Sequence, residues 1–211
     1  LGKTIDSQSP SGSTGLSQFL KLDTRICEFL WGSDKMDARL LGQAHIFRPA
    51  GEAIKSPVHA QIEAGVWALI EHQLMPSNQG KRRLVFALNG PYGVGKRDLV
   101  LSICHRLGAA VISLDLELLL SHGARAQELV HLALREGLLQ QAVLHFRRAD
   151  SLQSQAARPL LEAMTVAVAE YGWLVFLSAE VPWTLKDAFP GCLFQTVKMP
   201  VPDVPLRALV W

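Results

Sequence analysis

The chain has 211 residues, of which 49% are apolar and 19% charged, with a formal net charge of +2. Such a composition builds a globular core and excludes a disordered polymer, and so small a charge calls for neither a nucleic-acid nor a membrane partner. Cys27, Cys104 and Cys192 are widely spaced and make neither a metal motif nor an even disulfide set, so free thiols in a reducing compartment are expected.

No apolar run is long enough to span a bilayer and no basic-then-apolar leader opens the chain, which makes the cytoplasm the default location. A start at Leu1 rather than methionine leads to the expectation of a fragment of a longer protein. Residues 1–17, rich in Ser, Gly and Pro, predict a flexible linker. Residues 18–56 predict a small helical segment. Its first helix covers 19–31, with Leu22, Ile26, Phe29 and Leu30 on one face, and Gly32-Ser33-Asp34 stops it. A second helix is predicted over 35–41, and residues 46–56 read as irregular.

Ser56 followed by Pro57 is a cap and first-turn pair, opening a helix that runs to about residue 73 with Ile62, Val66, Trp67, Leu69 and Ile70 apolar. A turn cluster over 76–80 ends it. The basic Lys81-Arg82-Arg83 then reads as a solvated strand edge leading into an apolar strand over 84–88.

Directly after that strand stands Gly90-Pro91-Tyr92-Gly93-Val94-Gly95-Lys96-Arg97, and then a helical pattern with Leu99, Val100, Ile103 and Leu107 at helical spacing and Gly108 at the C-terminal cap position. Strand, glycine-rich loop ending in lysine, and helix form the P-loop arrangement. Glycines let backbone N–H groups converge on one concavity, and the helix N-terminus adds a partial positive charge there. Lys96 supplies a mobile point charge for terminal phosphates. One position departs from the pattern: Arg97 stands where a Ser or Thr hydroxyl would ligate magnesium.

Beyond the loop, strands are predicted over 110–114, 142–146, 173–177 and 193–199, with helices over 116–120, 126–141 and 154–171 between them. Short apolar strands alternating with helices predict a three-layer α/β/α domain over 57–211, with a parallel five-stranded sheet and its ligand at the carboxyl ends of the strands. Trp67, Trp173, Trp183 and His145 read as core residues.

From residue 57 to the end the chain resembles the α/β core of an AAA+ ATPase, whose loop reads GPPGTGKT. The segment AVLHFRRADSL resembles that family's Walker B strand, with Arg147 and Arg148 at the positions of its Asp-Glu pair and Asp150 at a later Asp. WLVFLSAEVPWTL resembles the sensor-one strand, with Glu180 aligned best at the expected Asn or Thr and Ser178 nearby. FPGCLFQTVKMPVPDVPLRALVW resembles the closing pattern, with Cys192 at the arginine-finger position and Pro200, Pro202, Asp203 and Arg207 matching the end. The resemblance leads to the expectation that the family's lid subdomain is absent from this stretch. The stretch LDTRICEFLWGSDKMDARL before a degenerate core is similar to the first module of AAA+ proteins encoded with bacterial phage-tail-like contractile injection systems.

The resemblance implies ATP or ADP as ligand and other AAA+ modules or subunits, and a protein substrate, as partners. Two guanidiniums for two carboxylates reverse the local charge by about four units, each worth on the order of 3 kcal/mol per unit of metal charge at about 5 Å and an effective dielectric of about 20. Magnesium is therefore disfavoured and no metal ligand is assigned, while an ATP anion is not, with Arg147 and Arg148 as phosphate contacts. The expectation is a nucleotide-binding module of a larger ATPase with little hydrolysis of its own. A hydrolysing enzyme that uses Asp150 or Glu180, and a clamp-loader-like scaffold subunit, are the alternatives.

Overall fold

The computed structural model describes residues 23–49, 60–75, 83–182 and 188–201. The expected linker, the Ser56-Pro57 helix start, Lys81, Arg82, Trp183 and the closing Pro202, Asp203, Arg207 and Trp211 lie outside these residues.

Packing divides the chain into two compact units, Leu1–Asp34 and Lys35–Trp211. The first contains helix α1, Thr24–Leu30, whose N-cap Asp23 accepts the Arg25 N–H at 2.9 Å. Leu30, placed on the apolar face from sequence, is 70% exposed.

The second unit is built on strands β1 (Ala44–Phe47), β2 (Arg83–Asn89), β3 (Val111–Asp115), β4 (Val143–Arg147), β5 (Leu174–Ala179) and β6 (Cys192–Lys198). Their order is β1-β3-β4-β5-β2-β6, with β2 to β6 mutually parallel and β1 antiparallel to β3. All five expected parallel strands are present, and a sixth joins them from residues that the sequence left partly irregular. The helix expected over 35–41 is only a 3-10 turn, Ala38–Leu40. β1 escapes sequence reading because four residues with one buried side chain carry no period; its pairing with β3 supplies the order. Its flanks are tied down by Asp37 to Arg135 at 2.7 Å, Gln43 to His122 at 2.8 Å and Arg48 to Gln140 at 3.0 Å.

Helices α2 (Ala60–Leu74), α3 (Lys96–Leu107), α4 (Leu116–Leu120), α5 (Arg125–Leu139) and α6 (Arg158–Tyr171) cover the sheet. Strand alternation sorts the core into two faces. Val85, Ala87, Leu144, Phe146, Val175 and Leu177 pack with α5 and α6 residues such as Leu129, Ala133, Met164 and Val168. Leu84, Phe86, Leu88, Val143, Leu174 and Phe176 pack with Val66 and Ile70 of α2 and Leu99, Val100 and Ile103 of α3. Phe86 and Phe176 stack across β2 and β5 with centroids 5.4 Å apart. α3 ends as its sequence predicts: Gly108 takes φ +67°, and the N–H groups of Gly108 and Ala109 cap the carbonyls of His105 and Cys104. Trp67 and Trp173 are only half-buried; an Arg106 guanidinium lies 3.9 Å from the Trp67 ring centroid, and Trp173 Nε1 donates to the Ala142 carbonyl. Leu69, expected inside, is 37% exposed.

Candidate functional site

A cavity of about 510 Å³ opens where β2, β4 and β5 end and α3 begins. Ligands of α/β sheets collect at this end of the strands, and the volume suits a small molecule. Gly93 (φ +81°) and Gly95 (φ +83°) adopt left-handed backbone that turns the chain into α3. Gly95 caps α3 with no side-chain hydrogen bond. Of the eight loop residues singled out from sequence, Tyr92, Gly93, Gly95, Lys96 and Arg97 line the cavity. The other three hold the loop in place. Val94 is buried in the core, and Pro91 offers its carbonyl to Lys96 at 2.9 Å. Gly90 lies so close to the chain leaving β6 that any Cβ would run into the Met199 carbonyl, while the Met199 N–H donates to the Asn89 carbonyl at 2.7 Å. Lys96 Nζ donates to the Gly90 carbonyl as well, so the ammonium rests on its own loop. Burial draws its pKa below the usual lysine range, and the charges of Glu180 and Asp150 oppose that fall.

Across the cavity, the two arginines at the end of β4 behave differently. Arg148 has φ +53° and is fully committed: its Nε donates to both Asp115 carboxylate oxygens at 2.7 and 2.8 Å, and its Nη1 lies 2.5 Å from Glu117. Arg147 reaches Asp115 through one contact of 3.5 Å, and its Nε is buried with no hydrogen-bond partner among the described residues. Their carboxylate partners come from the β3–α4 junction, Asp115 for both arginines and Glu117 for Arg148. Their signal was present, since Asp115 ends a strand directly beside the strand that ends in Arg147, and the two residues are register partners. Without the strand order there was no reason to pair them.

The charge reversal expected at β4 is consequently answered on the spot. Around the cavity, Lys96, Arg97, Arg147 and Arg148 face Asp98, Asp115, Asp150 and Glu180. Asp150 is occupied as well: its carboxylate accepts the N–H of Glu180 (3.0 Å) and of Val181 (2.8 Å), fixing the turn after β5. Glu180 is exposed at the cavity rim. His145 and Ser178, buried on the floor, share a hydrogen bond of 2.8 Å. Burial, aided by Arg147 and Arg97, pushes the His145 pKa down to about 3, so its ring is neutral at pH 7.

Arg97 places its guanidinium 4.6 Å from the centroid of Phe47, at the end of β1. Cys192 pairs with Arg83 at the start of β2, the opposite end of the strands from the loop, and burial raises its thiol pKa. Asp115 is held by two guanidiniums and Asp150 by backbone N–H groups, and Arg147 Nε, without a partner among the described residues, belongs to the same cavity lining.

Neither a known family profile nor a curated protein sequence matches the chain. Solved structures do. A katanin structure concerned with that protein's self-assembly matches with a TM-score of 0.65 at 14% identity, over 85% of this chain and 65% of the katanin chain. The AAA domain of FIGL-1 matches with a TM-score of 0.62 at 14% identity, over 83% of this chain and 65% of that one. This chain thus spans just under two thirds of either neighbour's length. Likeness at such identity is a statement about architecture: the chain has the fold of an AAA+ P-loop domain, a mostly parallel six-stranded sheet between helices.

Proposed function

We propose that this chain is a nucleotide-binding AAA+ module that holds ATP or ADP without a metal ion and hydrolyses little or none by itself. The observation that carries this reading is that Asp115 and Asp150, two of the four carboxylates lining the cavity, are already engaged. Asp115 and Glu117 are committed to Arg148, and Asp150 to the turn after β5, while the glycine loop and Lys96 keep a phosphate-binding arrangement. Gly93, Gly95 and Lys96 would hold the phosphates, and Asp115 and Asp150 are not free to hold magnesium and polarise water.

A module of this kind serves assembly or regulation beside an active ATPase partner, and the self-assembly of the katanin neighbour supports a subunit or second module as that partner. Within this reading we place it as the degenerate first module of a contractile-injection-system ATPase, a placement supported by the sequence resemblance of the stretch LDTRICEFLWGSDKMDARL.

Titration calorimetry with ATP, in magnesium and in EDTA, tests the proposal. The expected result is equal affinity in both, lost in Lys96→Ala. Binding that requires magnesium, together with turnover abolished by Glu180→Gln, would replace it with the hydrolysing reading.

A further inference from the structure

The two arginines at the end of β4 occupy neighbouring positions but have opposite degrees of commitment. Arg148 makes short contacts to two carboxylates, with all three guanidinium nitrogens engaged. A guanidinium so held has no fork left for a ligand. Arg147 lines the same cavity as Gly93, Gly95 and Lys96, touches Asp115 at 3.5 Å only, and keeps a buried Nε without a partner among the described residues. Leaving a buried donor of a charged group unsatisfied is costly, and an anion entering the cavity would remove that cost.

We infer that Arg147 is the ligand of the terminal phosphate of a nucleoside triphosphate, taking the place of the divalent cation, while Arg148 is a positioning residue that neutralises Asp115 at the cavity wall. This rests on the nucleotide-binding reading and adds to it a preference for triphosphate over diphosphate that needs no metal. The geometry explains why both arginines are present. A single arginine beside Asp115 would form a closed ion pair and offer nothing to a phosphate. With Arg148 saturating Asp115, the second guanidinium keeps donor capacity for an incoming anion.

The test is calorimetry on the full chain in EDTA, with ATP and with ADP, for wild type, Arg147→Gln, Arg147→Lys and Lys96→Ala, each first checked for an unchanged thermal melt. Arg147→Gln is expected to weaken ATP about tenfold or more and to leave ADP within about twofold, the difference being one charge-assisted bidentate contact. Arg147→Lys keeps the charge but not the fork and should recover part of the ATP affinity with the ADP affinity unchanged. Equal weakening of ATP and ADP in Arg147→Gln, or no change in either, would overturn the assignment while leaving the nucleotide site standing. A wild-type chain that binds neither nucleotide would remove the nucleotide-binding reading, and this assignment with it.

Discussion

The loop between β2 and α3 and the strand ends of β4 and β5 face each other across one cavity, yet they are built on different principles. On the loop side the work is done by backbone: two left-handed glycines, an uncapped helix start and a lysine folded back on the loop carbonyls. Those features need the two left-handed glycines and the lysine, while Gly90 and Val94 seat the loop against Met199 and the core. On the strand side everything depends on side chains, and there Arg147 and Arg148 pair with Asp115 and Glu117 from the β3–α4 junction. One cavity thus joins a wall built from backbone to a wall built from paired charges.

The largest expected effect tests the loop side. Gly90→Val would force a side chain into the Met199 backbone and should destabilise the chain by about 3 kcal/mol in urea unfolding. Gly93→Ala meets open space and suffers only the cost of its φ of +81°, about 1 kcal/mol. If both cost the same, the first glycine of the loop is a turn residue and not a packing one.

The strand side is tested by reversing its charges. Arg147→Asp/Arg148→Glu sets two carboxylates beside Asp115 and Glu117, and should cost about 2 kcal/mol, a value discounted because Arg147 and Arg148 are 43% and 52% exposed. A double variant as stable as wild type that also gained magnesium-dependent nucleotide binding would mean the pairing has no structural consequence.

A smaller effect is read in pH. His145 has a folded pKa of about 3 against an ordinary value of 6.5, so between those limits the unfolded chain binds a proton that the folded chain refuses. Stability from this group is complete above about pH 6.5 and falls with decreasing pH at up to about 1.4 kcal/mol per unit until near pH 3. Comparing urea midpoints at pH 7 and pH 5 in wild type and His145→Gln checks it; the wild type should lose about 2 kcal/mol more. Parallel losses in the two would mean that His145 does not carry the slope.

Much of this was legible in order of appearance. The glycine loop, the Gly108 cap and the helix face of Leu99, Val100 and Ile103 follow from local spacing, and they form as read. The four strands after the loop, β3 to β6, fall within two residues of their predicted bounds, because a buried parallel strand is a short apolar run between turns. His145 was correctly taken for a buried residue, though its partnership with Ser178 on the neighbouring strand was out of reach.

The sequence by itself determined the layered α/β order and the phosphate-type loop, since both rest on residue types at fixed short separations. Tertiary structure alone decided the rest. β1 became a strand only by pairing with β3, across more than sixty intervening residues. Asp115 and Glu117 found Arg148 only because β3 lies beside β4, and Asp150 was drawn to the turn after β5 for the same reason. Which charge meets which depends on strand order, and strand order is set by burial of both sheet faces at once, a condition that no local stretch of chain contains.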